Sequence, residues 1–485
     1  MSLKLYNSLT RREENFEPVE PGKVRMYCCG VTVYDYCHLG HARSYIVWDT
    51  VRRYLISRGY QVRYVQNFTD IDDKILNRAR EQNSSMEEVS ERFINEYFVD
   101  MDRLNIMRAD EYPRATHTLN GITRLIHELE QKGYAYPAGG DVYYTVRKFA
   151  EYGKLSGRKF EDMDAGASGR LTDDSEAQKK QEPFDFALWK GAKEGEPFWE
   201  SPWGNGRPGW HIECSAMVRQ CLGETIDIHC GGADLIFPHH ENEIAQSEAV
   251  TGQSLAKYWM HNGFVTVNAE KMSKSLGNFT TIRELLERLE PMALRLFVLM
   301  AQYRKPIDFT DDAIASARNG WTTLKEGLSF GYQYGSQWGW QLEPINDLNL
   351  LESDAVQQFT DAMDNDFNTA IGLGVLFELA KELRREKNIV EHGGKIETPG
   401  EFLNQKWLTL VKLAGVLGLE IFPEVDTQET TEGLSDGEIE ELIAQRKAAR
   451  NAKNFAESDR VRDLLKSQGI TLIDQKDGTT IWRKN

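Results

Sequence analysis

The sequence predicts an α/β protein: a doubly wound parallel sheet with an insertion, followed by an all-helical region and a small α+β module. Three observations support this fold class. A strand, a helix and a second strand follow one another in residues 24–68, the alternation returns in residues 209–250, and the strand pattern fades beyond about residue 265. Such alternation builds parallel sheets whose ligands bind at the carboxyl ends of the strands.

The first β-α-β unit contains a possible phosphate site. Val24–Cys29 is apolar enough for a buried strand, and a helix with one apolar face is predicted from His38 to a stop at Gly59. Residues 61–68 are predicted as a second, parallel strand. The helix N-terminus offers free N–H groups, and His38 and His41 on its first turn could contact the same phosphate. Two surface histidines near a turn would give the same pattern, so H-L-G-H alone is weak evidence.

The segments that follow continue the alternation and then become helical. Residues 139–205 are predicted as an insertion, with a strand at 141–146 and a polar, charged centre at 162–182. The other predicted elements are helices 84–104 and 113–132, strand 225–230, helix 238–250, strand 263–267, helices 282–300, 311–328, 354–364, 369–387 and 405–417, an acidic linker 420–433, helices 436–447 and 455–467, and strands 470–474 and 479–483 around a Lys-Asp-Gly turn signal.

Size and composition restrict the class of protein. A chain of 485 residues is too long for one core, and a hydrophobic content of 40% is ordinary for a globular protein. No apolar run approaches the ~20 residues that span a bilayer, and the N-terminus lacks a signal-peptide pattern. We therefore expect a cytoplasmic protein without a membrane partner. We also expect a monomer, although composition does not determine the oligomeric state. Its six cysteines should be ligands or buried thiols rather than disulfides.

The charge is unevenly distributed. The net charge of −17 argues, on average, against binding to nucleic acid. Residues 446–484, however, contain ten Lys and Arg against five Asp and Glu, so the C-terminal part is basic within an acidic protein. A solvated helix face would give the same count, so the basic stretch only suggests an RNA contact.

Residues with metal-ligand chemistry occur together further along the chain. His239 and Glu243 are four residues apart on a predicted helix, so they project from one face, and Cys214 precedes them. A second sulfur could come from Cys28 or Cys29, which point to opposite faces of their strand; Cys29, next to the strand end, is the better candidate. Two sulfurs, a nitrogen and a carboxylate suit tetrahedral zinc. Spacing alone gives ordinary polar residues equal weight and does not decide between the two adjacent histidines.

A lysine-containing loop is predicted near the end of the sheet region. Lys271-Met-Ser-Lys274-Ser follows a predicted strand and ends at Gly277. Two lysines in a short loop can bracket a polyphosphate and neutralise the charge of a departing pyrophosphate. An exposed basic turn is the usual explanation for such a motif, but it would not explain why H-L-G-H is present as well.

The two motifs together resemble the signature pair of class I aminoacyl-tRNA synthetases, and the chain closely resembles the cysteinyl-tRNA synthetase family within that class. The segments that carry the resemblance are MYCCGVTVYD (26–35), NFTDIDDK (67–74), PGWHIECS (208–215) and FPHHENE (237–243). The similarity runs nearly end to end and includes the helices at 361–383. One departure is Cys230, which replaces a glycine of a triple-glycine run, and another is the long polar segment 162–182.

The resemblance implies a domain division and a set of site residues. The implied regions are a Rossmann-like catalytic domain (1–138 and 206–265), a connective insertion (139–205), a KMSKS loop with a helical stem-contact region (266–340), a helical bundle (341–420) and a small basic anticodon-binding domain (430–485). The implied residues are Cys29, Cys214, His239 and Glu243 as ligands of one zinc ion, His38, His41, Lys271 and Lys274 at the ATP phosphates, Asp234 at the ribose or the substrate amine, and Trp210 in the amino-acid pocket.

The implied reaction has two steps. L-cysteine and ATP, with Mg²⁺, give cysteinyl-adenylate and diphosphate, and the cysteinyl group then passes to the 3′-terminal adenosine of tRNA(Cys) with release of AMP. Both attacking groups belong to substrates, so the enzyme contributes positioning and electrostatic stabilisation. A pocket that reads size alone separates cysteine from serine by only ~10–200-fold, whereas zinc prefers a thiolate. Because four protein ligands close a zinc site, the substrate sulfur would add as a fifth ligand or displace Glu243.

Three alternatives share some of these features. An ATP-dependent cysteine ligase acting on an amino-sugar acceptor would share the catalytic core but would not need the basic C-terminal module. A zinc hydrolase with Glu241 or Glu243 as general base would need neither ATP nor the lysine loop. A non-catalytic RNA-binding relative would usually lack a signature histidine or lysine, and all four are present here.

Overall fold

The computed structural model describes residues 2–159, 178–271, 280–340, 351–421, 436–452, 454–468, 470–474 and 480–484. In this part of the chain no helix is long and apolar enough to cross a membrane. Several predicted features lie wholly or mostly outside the described residues: the polar segment 162–182, the lysine loop beyond Lys271, the linker 420–433 and the turn between the last two strands.

The strands are β1 (Lys4–Asn7), β2 (Arg12–Asn15), β3 (Lys23–Cys28), β4 (Gln61–Gln66), β5 (Ala135–Ala138), β6 (Asp141–Tyr144), β7 (Phe186–Gly191), β8 (Gly206–Pro208), β9 (Ile226–Gly232), β10 (Ala256–Asn262), β11 (Val265–Val267), β12 (Glu270–Lys271), β13 (Ile307–Phe309), β14 (Ile470–Asp474) and β15 (Thr480–Lys484).

The α-helices are α1 (Leu39–Ser57), α2 (Asp73–Gln82), α3 (Met86–Arg103), α4 (Leu119–Gln131), α5 (Trp210–Leu222), α6 (Glu241–Thr251), α7 (Ile282–Leu286), α8 (Pro291–Leu299), α9 (Asp311–Tyr334), α10 (Ser353–Asp364), α11 (Thr369–Glu391), α12 (Gly400–Val416), α13 (Asp436–Asn451) and α14 (Phe455–Ser467).

The predicted parallel sheet is present and confirms the fold class. Its strand order is β10-β9-β3-β4, and each pairing is parallel. Helix α1 connects β3 to β4 and buries its predicted apolar face, including Val47, Val51 and Leu55. Because β4 lies on one side of β3 and β9 on the other, the strand order reverses beside the carboxyl end of β3. Ligands of open α/β sheets bind at such a point.

An antiparallel sheet, β5-β6-β7-β8, occupies the region of the predicted insertion. It runs from Ala135 to Pro208, so it begins before and ends after the predicted bounds of 139–205. Gly209 then leads directly into helix α5, and a Cβ atom there would lie 2.0 Å from the carbonyl oxygen of Ala187. The insertion sheet is therefore joined without a spacer to the helix that carries Cys214. The division of the chain into domains stays a prediction.

Three predicted helices differ from the observed ones for identifiable reasons. The helix expected at 282–300 is two helices, because Pro291 cannot supply an interior N–H donor and occupies the first turn of α8 instead. The helix expected from residue 113 begins at Leu119, since the backbone N–H of Thr116 donates to the Asp70 carboxylate. The helix expected from residue 238 is preceded by a wider π-type turn, Ile236–His240, so α6 begins at Glu241. Helix α2 and strands β1, β2, β5, β7, β8, β10, β12 and β13 were not predicted.

Strand alternation separates two neighbouring cysteines. Cys28 lies in the hydrophobic cluster on the side of helix α1, with Val24 and Met26. Cys29 lies in the cluster on the opposite side of the sheet, with Tyr27 and residues of α5 and α6. The two thiols therefore face different cores, as the alternation predicts.

The remaining elements are mostly helical. Helix α9 packs against α8, α11 and α12, and β11, β12 and β13 form a small separate sheet beside them. At the C-terminus, α13 and α14 pack with the hairpin β14-β15. This last unit has its own hydrophobic cluster, formed by Ile439, Ile443, Val461, Leu465 and Ile470.

Candidate functional site

The four predicted metal ligands lie together at the carboxyl edge of the parallel sheet. Cys29 follows β3, Cys214 is on the first turns of α5, His239 is in the turn before α6, and Glu243 is on α6. Their ligand atoms all lie within 4.8 Å of one another. The Cys29 and Cys214 Sγ atoms are 3.9 Å apart, Cys29 Sγ is 3.5 Å from Glu243 Oε1, and that oxygen is 3.1 Å from His239 Nε2. We call these four residues the metal cluster.

The chemistry of the metal cluster fits a divalent cation. All four side chains are buried. Burial raises the pKa of the Cys29 thiol, and the neighbouring Cys214 and Glu243 raise it further because an anionic sulfur beside them would be repelled. A bound cation would remove that penalty and allow the thiolate. Two sulfurs, one imidazole nitrogen and one carboxylate oxygen are a donor set that zinc accepts.

A second donor set overlaps the first. Cys29 and Glu243 also lie with His229 and His240, again with all ligand atoms within 4.8 Å of one another. His240 Nε2 is 3.3 Å from Cys29 Sγ but 4.0 Å from Glu243 Oε1, whereas His229 Nε2 is 2.9 Å from Glu243 Oε2. Spacing in the sequence could not decide between His239 and His240. In the structure, the set that contains His239 has Cys214 as its fourth member, and the set that contains His240 has His229.

Outer contacts orient the members of the metal cluster. The ring nitrogens Nδ1 of His211 and His239 are 3.1 Å apart, and the indole of Trp210 stacks on the His239 ring with centroids 4.1 Å apart. His229, which reaches Glu243, stacks in turn on Trp259. Such contacts fix ring orientation and tautomer in metal sites.

A chain of hydrogen-bonding groups leads from the cluster to the N-terminal segment. His240 Nδ1 is 2.8 Å from His261 Nε2, and His261 Nδ1 is 2.8 Å from the Ser8 hydroxyl. Burial lowers the pKa of His240 well below its ordinary value and lowers the pKa of His261 to about 3. Both rings are therefore neutral at neutral pH, so each can donate from one nitrogen and accept at the other.

Close backbone packing fixes the position of Cys29 within the metal cluster. The N–H of Gly30 donates to Asn67 Oδ1 at 2.8 Å, and a Cβ atom on Gly30 would lie 1.6 Å from the Asn67 carbonyl oxygen. Only glycine can follow Cys29 here. The same Asn67 Oδ1 is 3.8 Å from Cys214 Sγ, so one amide contacts the segments that carry both sulfurs.

The predicted phosphate site is at the N-terminus of helix α1. His38 is the N-cap: its Nδ1 accepts from the Gly40 N–H at 3.0 Å, and its own N–H donates to His41 Nδ1 at 3.3 Å. The two half-buried rings stack with centroids 3.7 Å apart. Burial lowers the pKa of His41, and the nearby His38 and Lys74 lower it further, so this imidazole is neutral at pH 7.

The segment after the lysine loop returns to this turn. The N–H of Leu39 donates to the carbonyl oxygen of Thr280 at 3.3 Å, and the N–H of Ile282 donates to that of Cys37 at 2.8 Å. The structure thus joins the H-L-G-H turn to the residues that follow the lysine loop, although the two motifs are far apart in sequence. Lys271 ends strand β12, and Lys274 lies outside the described residues.

Asp234 and Trp210 lie after strand β9 and at the start of helix α5, respectively. Asp234 is exposed and follows the carboxyl end of β9. Trp210 is half-buried at the start of α5.

Several residues around the metal cluster were not predicted from the sequence: Ser8, Asn67, His211, His229 and His261. A usable signal existed for one of them, since His261 lies near the carboxyl end of β10, where side chains of parallel strands converge on the ligand. The other four depend on contacts between segments distant in sequence.

Glu241, a candidate general base for a hydrolase, is outside the metal cluster. Its carboxylate accepts from the backbone N–H groups of Gly153 at 2.9 Å and Ser156 at 2.8 Å. The carboxylate is thus committed to the backbone, and the geometry does not support general-base chemistry by this residue.

Comparisons with known proteins agree with these observations. The family model "tRNA synthetases class I (C) catalytic domain" matches residues 15–319, and the DALR domain matches residues 358–422. Proteins named cysteine–tRNA ligase are 68% identical to this chain in Gloeothece citriformis and 66% identical in Trichodesmium erythraeum, in each case over 100% of both chains.

Solved structures share the fold at low identity. Mycobacterium tuberculosis methionyl-tRNA synthetase in complex with methionyl-adenylate has a TM-score of 0.55 at 16% identity and covers 81% of this chain and 89% of its own. A LeuRS from Agrobacterium radiobacter K84, in a ternary complex with tRNA and LeuAMS, has a TM-score of 0.58 at 12% identity, with 83% and 85% covered.

Proposed function

The chain belongs to the cysteine–tRNA ligase family of class I tRNA synthetases and charges tRNA with cysteine, and we propose that the metal cluster selects the amino acid while the α1 N-terminus holds ATP. The observation that carries this proposal is the convergence of Cys29, Cys214, His239 and Glu243 within 4.8 Å beside the reversal point of the sheet. The family match supports neither the amino-sugar ligase nor the zinc hydrolase.

The first step needs charge stabilisation at the phosphates. The cysteine carboxylate attacks the α-phosphorus of ATP, a new O–P bond forms, and the bond to the leaving pyrophosphate breaks. The positive end of the α1 dipole, with His38 and His41, would stabilise the negative charge, and Lys271 and Lys274 would neutralise the pyrophosphate. Mg²⁺ would accompany the ATP. A ribose hydroxyl of the tRNA terminus then attacks the acyl carbon and releases AMP.

The metal cluster would hold one zinc ion through its two sulfurs, one nitrogen and one carboxylate oxygen. Zinc at this place would supply a soft Lewis acid, which favours the sulfur of cysteine over the oxygen of serine. The residues around it hold the geometry: His211 and Trp210 orient His239, and His229 orients Glu243. A pocket that reads size alone would separate cysteine from serine by only ~10–200-fold, so the bound zinc would supply the further discrimination.

The remaining contacts are proposed from position in the fold. Trp210 would line the amino-acid pocket, since its indole covers His239, and the exposed Asp234 would bind the ribose or the substrate amine. The basic unit of residues 430–485 would contact the tRNA anticodon region through phosphates. We propose a cytoplasmic monomer.

The test is amino-acid-dependent ATP–pyrophosphate exchange by the purified protein, with zinc content measured on the same sample. We expect one zinc per chain, exchange with cysteine, and exchange with serine lower by more than the ~200-fold that pocket size can give. Equal exchange with both amino acids, or strong selection by a protein that holds no metal, would contradict the proposal.

A further inference from the structure

Glu241 begins helix α6 and binds the insertion through backbone N–H groups. Its side chain is buried, and its carboxylate accepts from Gly153 N–H at 2.9 Å, from Leu155 N–H at 3.5 Å and from Ser156 N–H at 2.8 Å. These donors belong to residues 152–156, which we call the insertion turn. Gly153 has a φ of +96°, a conformation that glycine adopts readily and that helps to point successive N–H groups at one anion.

Other contacts join the same helix to the insertion. The Tyr152 hydroxyl donates to Asn242 Oδ1 at 2.5 Å, and the Tyr144 hydroxyl donates to the Ala245 carbonyl oxygen at 2.9 Å. Further along, Lys154 pairs with Glu248 at 2.5 Å. Contacts at both ends and in the middle of α6 therefore hold it against the insertion over most of its length.

The opposite side of α6 faces the metal cluster. At about 100° per residue, Glu243 points roughly 200° away from Glu241 around the helix axis. One carboxylate therefore binds the insertion turn, and the other, two residues later, reaches Cys29, His239 and His229. Any rotation or axial shift of α6 would move the Glu243 carboxylate relative to the sulfurs, which other elements carry.

We propose that Glu241 is a positioning residue for the metal cluster: its bonds to the insertion turn fix the rotation and height of α6, and thereby the places of His239 and Glu243. The inference rests on the proposed function, because it concerns the metal affinity of that same site. It also makes the insertion part of the amino-acid pocket, since displacement of the insertion turn would be transmitted to the cluster along α6.

The charge and length of Glu241 both matter for this role. Glutamine keeps one oxygen acceptor but places an amide NH₂ among N–H donors, and alanine would leave the N–H groups of the insertion turn buried without an acceptor. Neither variant changes a group of the metal cluster, so any change in metal binding must act through the position of α6.

The experiment measures zinc transfer from full-length protein to a colorimetric chelator for the parent, Glu241→Gln and Lys154→Ala. Glu241→Gln should weaken zinc binding by about 10–100-fold, the usual loss when an outer partner of a metal site is removed. Its KM for cysteine should rise while its KM for ATP stays unchanged. Lys154→Ala removes a partly exposed ion pair from the same turn and should alter zinc affinity by less than about fivefold.

The outcomes distinguish failure of the Glu241 positioning role from failure of the proposed metal site. A parent protein without bound zinc would contradict the proposed metal site itself. A zinc-binding parent together with a folded Glu241→Gln variant of unchanged zinc affinity would overturn only the positioning role. If Glu241→Gln does not fold, Tyr152→Phe carries the test, since it removes one hydrogen bond between the same turn and helix; unchanged zinc affinity in that variant would overturn the proposal.

Discussion

The predicted phosphate site at the α1 N-terminus and the metal cluster, which we call the phosphate end and the metal end, are built in opposite ways. At the phosphate end, His38 and His41 are neighbours on one helical turn, half-buried, and held by hydrogen bonds to their own backbone. At the metal end, Cys29, Cys214 and Glu243 come from three separate elements, and their groups are buried. The hydrogen bonds between the two histidines form within one local segment, whereas the metal end exists only when the whole domain is folded.

This contrast shows which part of the protein can define its substrate. The solved structures that share the fold are those of a methionyl-tRNA synthetase and a LeuRS, so the fold leaves the amino acid open. A helix N-terminus binds phosphate whatever the amino acid is. The buried donor set would hold a metal ion that prefers sulfur, so we expect changes at the two ends to have separable effects.

The largest effect is expected from Cys214→Ser. Loss of one sulfur should lower cysteine-dependent exchange by more than about 100-fold, beyond the usual cost of losing an outer contact, and should reduce zinc content. The KM for ATP should not change, because the phosphate end is built separately. Cys221→Ser is the matched control, since Cys221 is on the same helix but bonds to Glu111. A Cys214→Ser variant that is less stable but retains normal exchange would make the metal site structural.

His41→Asn should act on the other end alone. Removing a contact to developing phosphate charge should lower the rate of exchange by about 10²–10³-fold, while zinc content and the KM for cysteine stay unchanged. Steady-state exchange kinetics with metal analysis would check this. Zinc loss in this variant would break the separation between the two ends.

Truncation after residue 429 should leave both the phosphate end and the metal end intact. The removed unit has its own hydrophobic cluster, so its loss should not unfold the catalytic region. The KM for tRNA in aminoacylation should rise by about tenfold or more as phosphate contacts are lost, with unchanged ATP–pyrophosphate exchange. Reduced exchange would show that the catalytic region depends on the C-terminal unit for its activity.

The smallest effect concerns acid stability at the metal end. Burial lowers the pKa of His261 from 6.5 to about 3, so the ring is neutral when folded and protonated when unfolded at acidic pH. Its contribution to stability is present above pH 6.5 and is lost as the pH falls, by about 2 kcal/mol between pH 7 and pH 5. Denaturant unfolding at equal zinc occupancy should show that His261→Gln loses less stability over this interval than the parent. Equal losses would contradict the assignment.

The sequence predicts those features of the fold and the site that depend on residues close together in the chain. The β3-α1-β4 unit, the N-terminal position of His38 and the different faces of Cys28 and Cys29 follow from periodicity and strand alternation. The division of the predicted helix 282–300 at Pro291 is also a local feature, and the proline itself indicates it.

The rest required the fold. The contact between the Leu39 N–H and Thr280, and the approach of Asn67 to both sulfurs, join segments whose spacing carries no signal. Glu241 shows the same limit. Its place two residues before a predicted metal ligand suggested a general base, whereas the structure shows that its carboxylate accepts from backbone N–H groups of the insertion turn.

The most direct test of the central claim is visible spectroscopy of protein in which cobalt(II) replaces zinc. Cobalt(II) reports the number of sulfur ligands through its thiolate-to-metal charge-transfer absorption. The account predicts absorption typical of two cysteine thiolates in the free protein and an increase on adding cysteine but not serine. A spectrum that neither amino acid alters would contradict selection by the metal cluster.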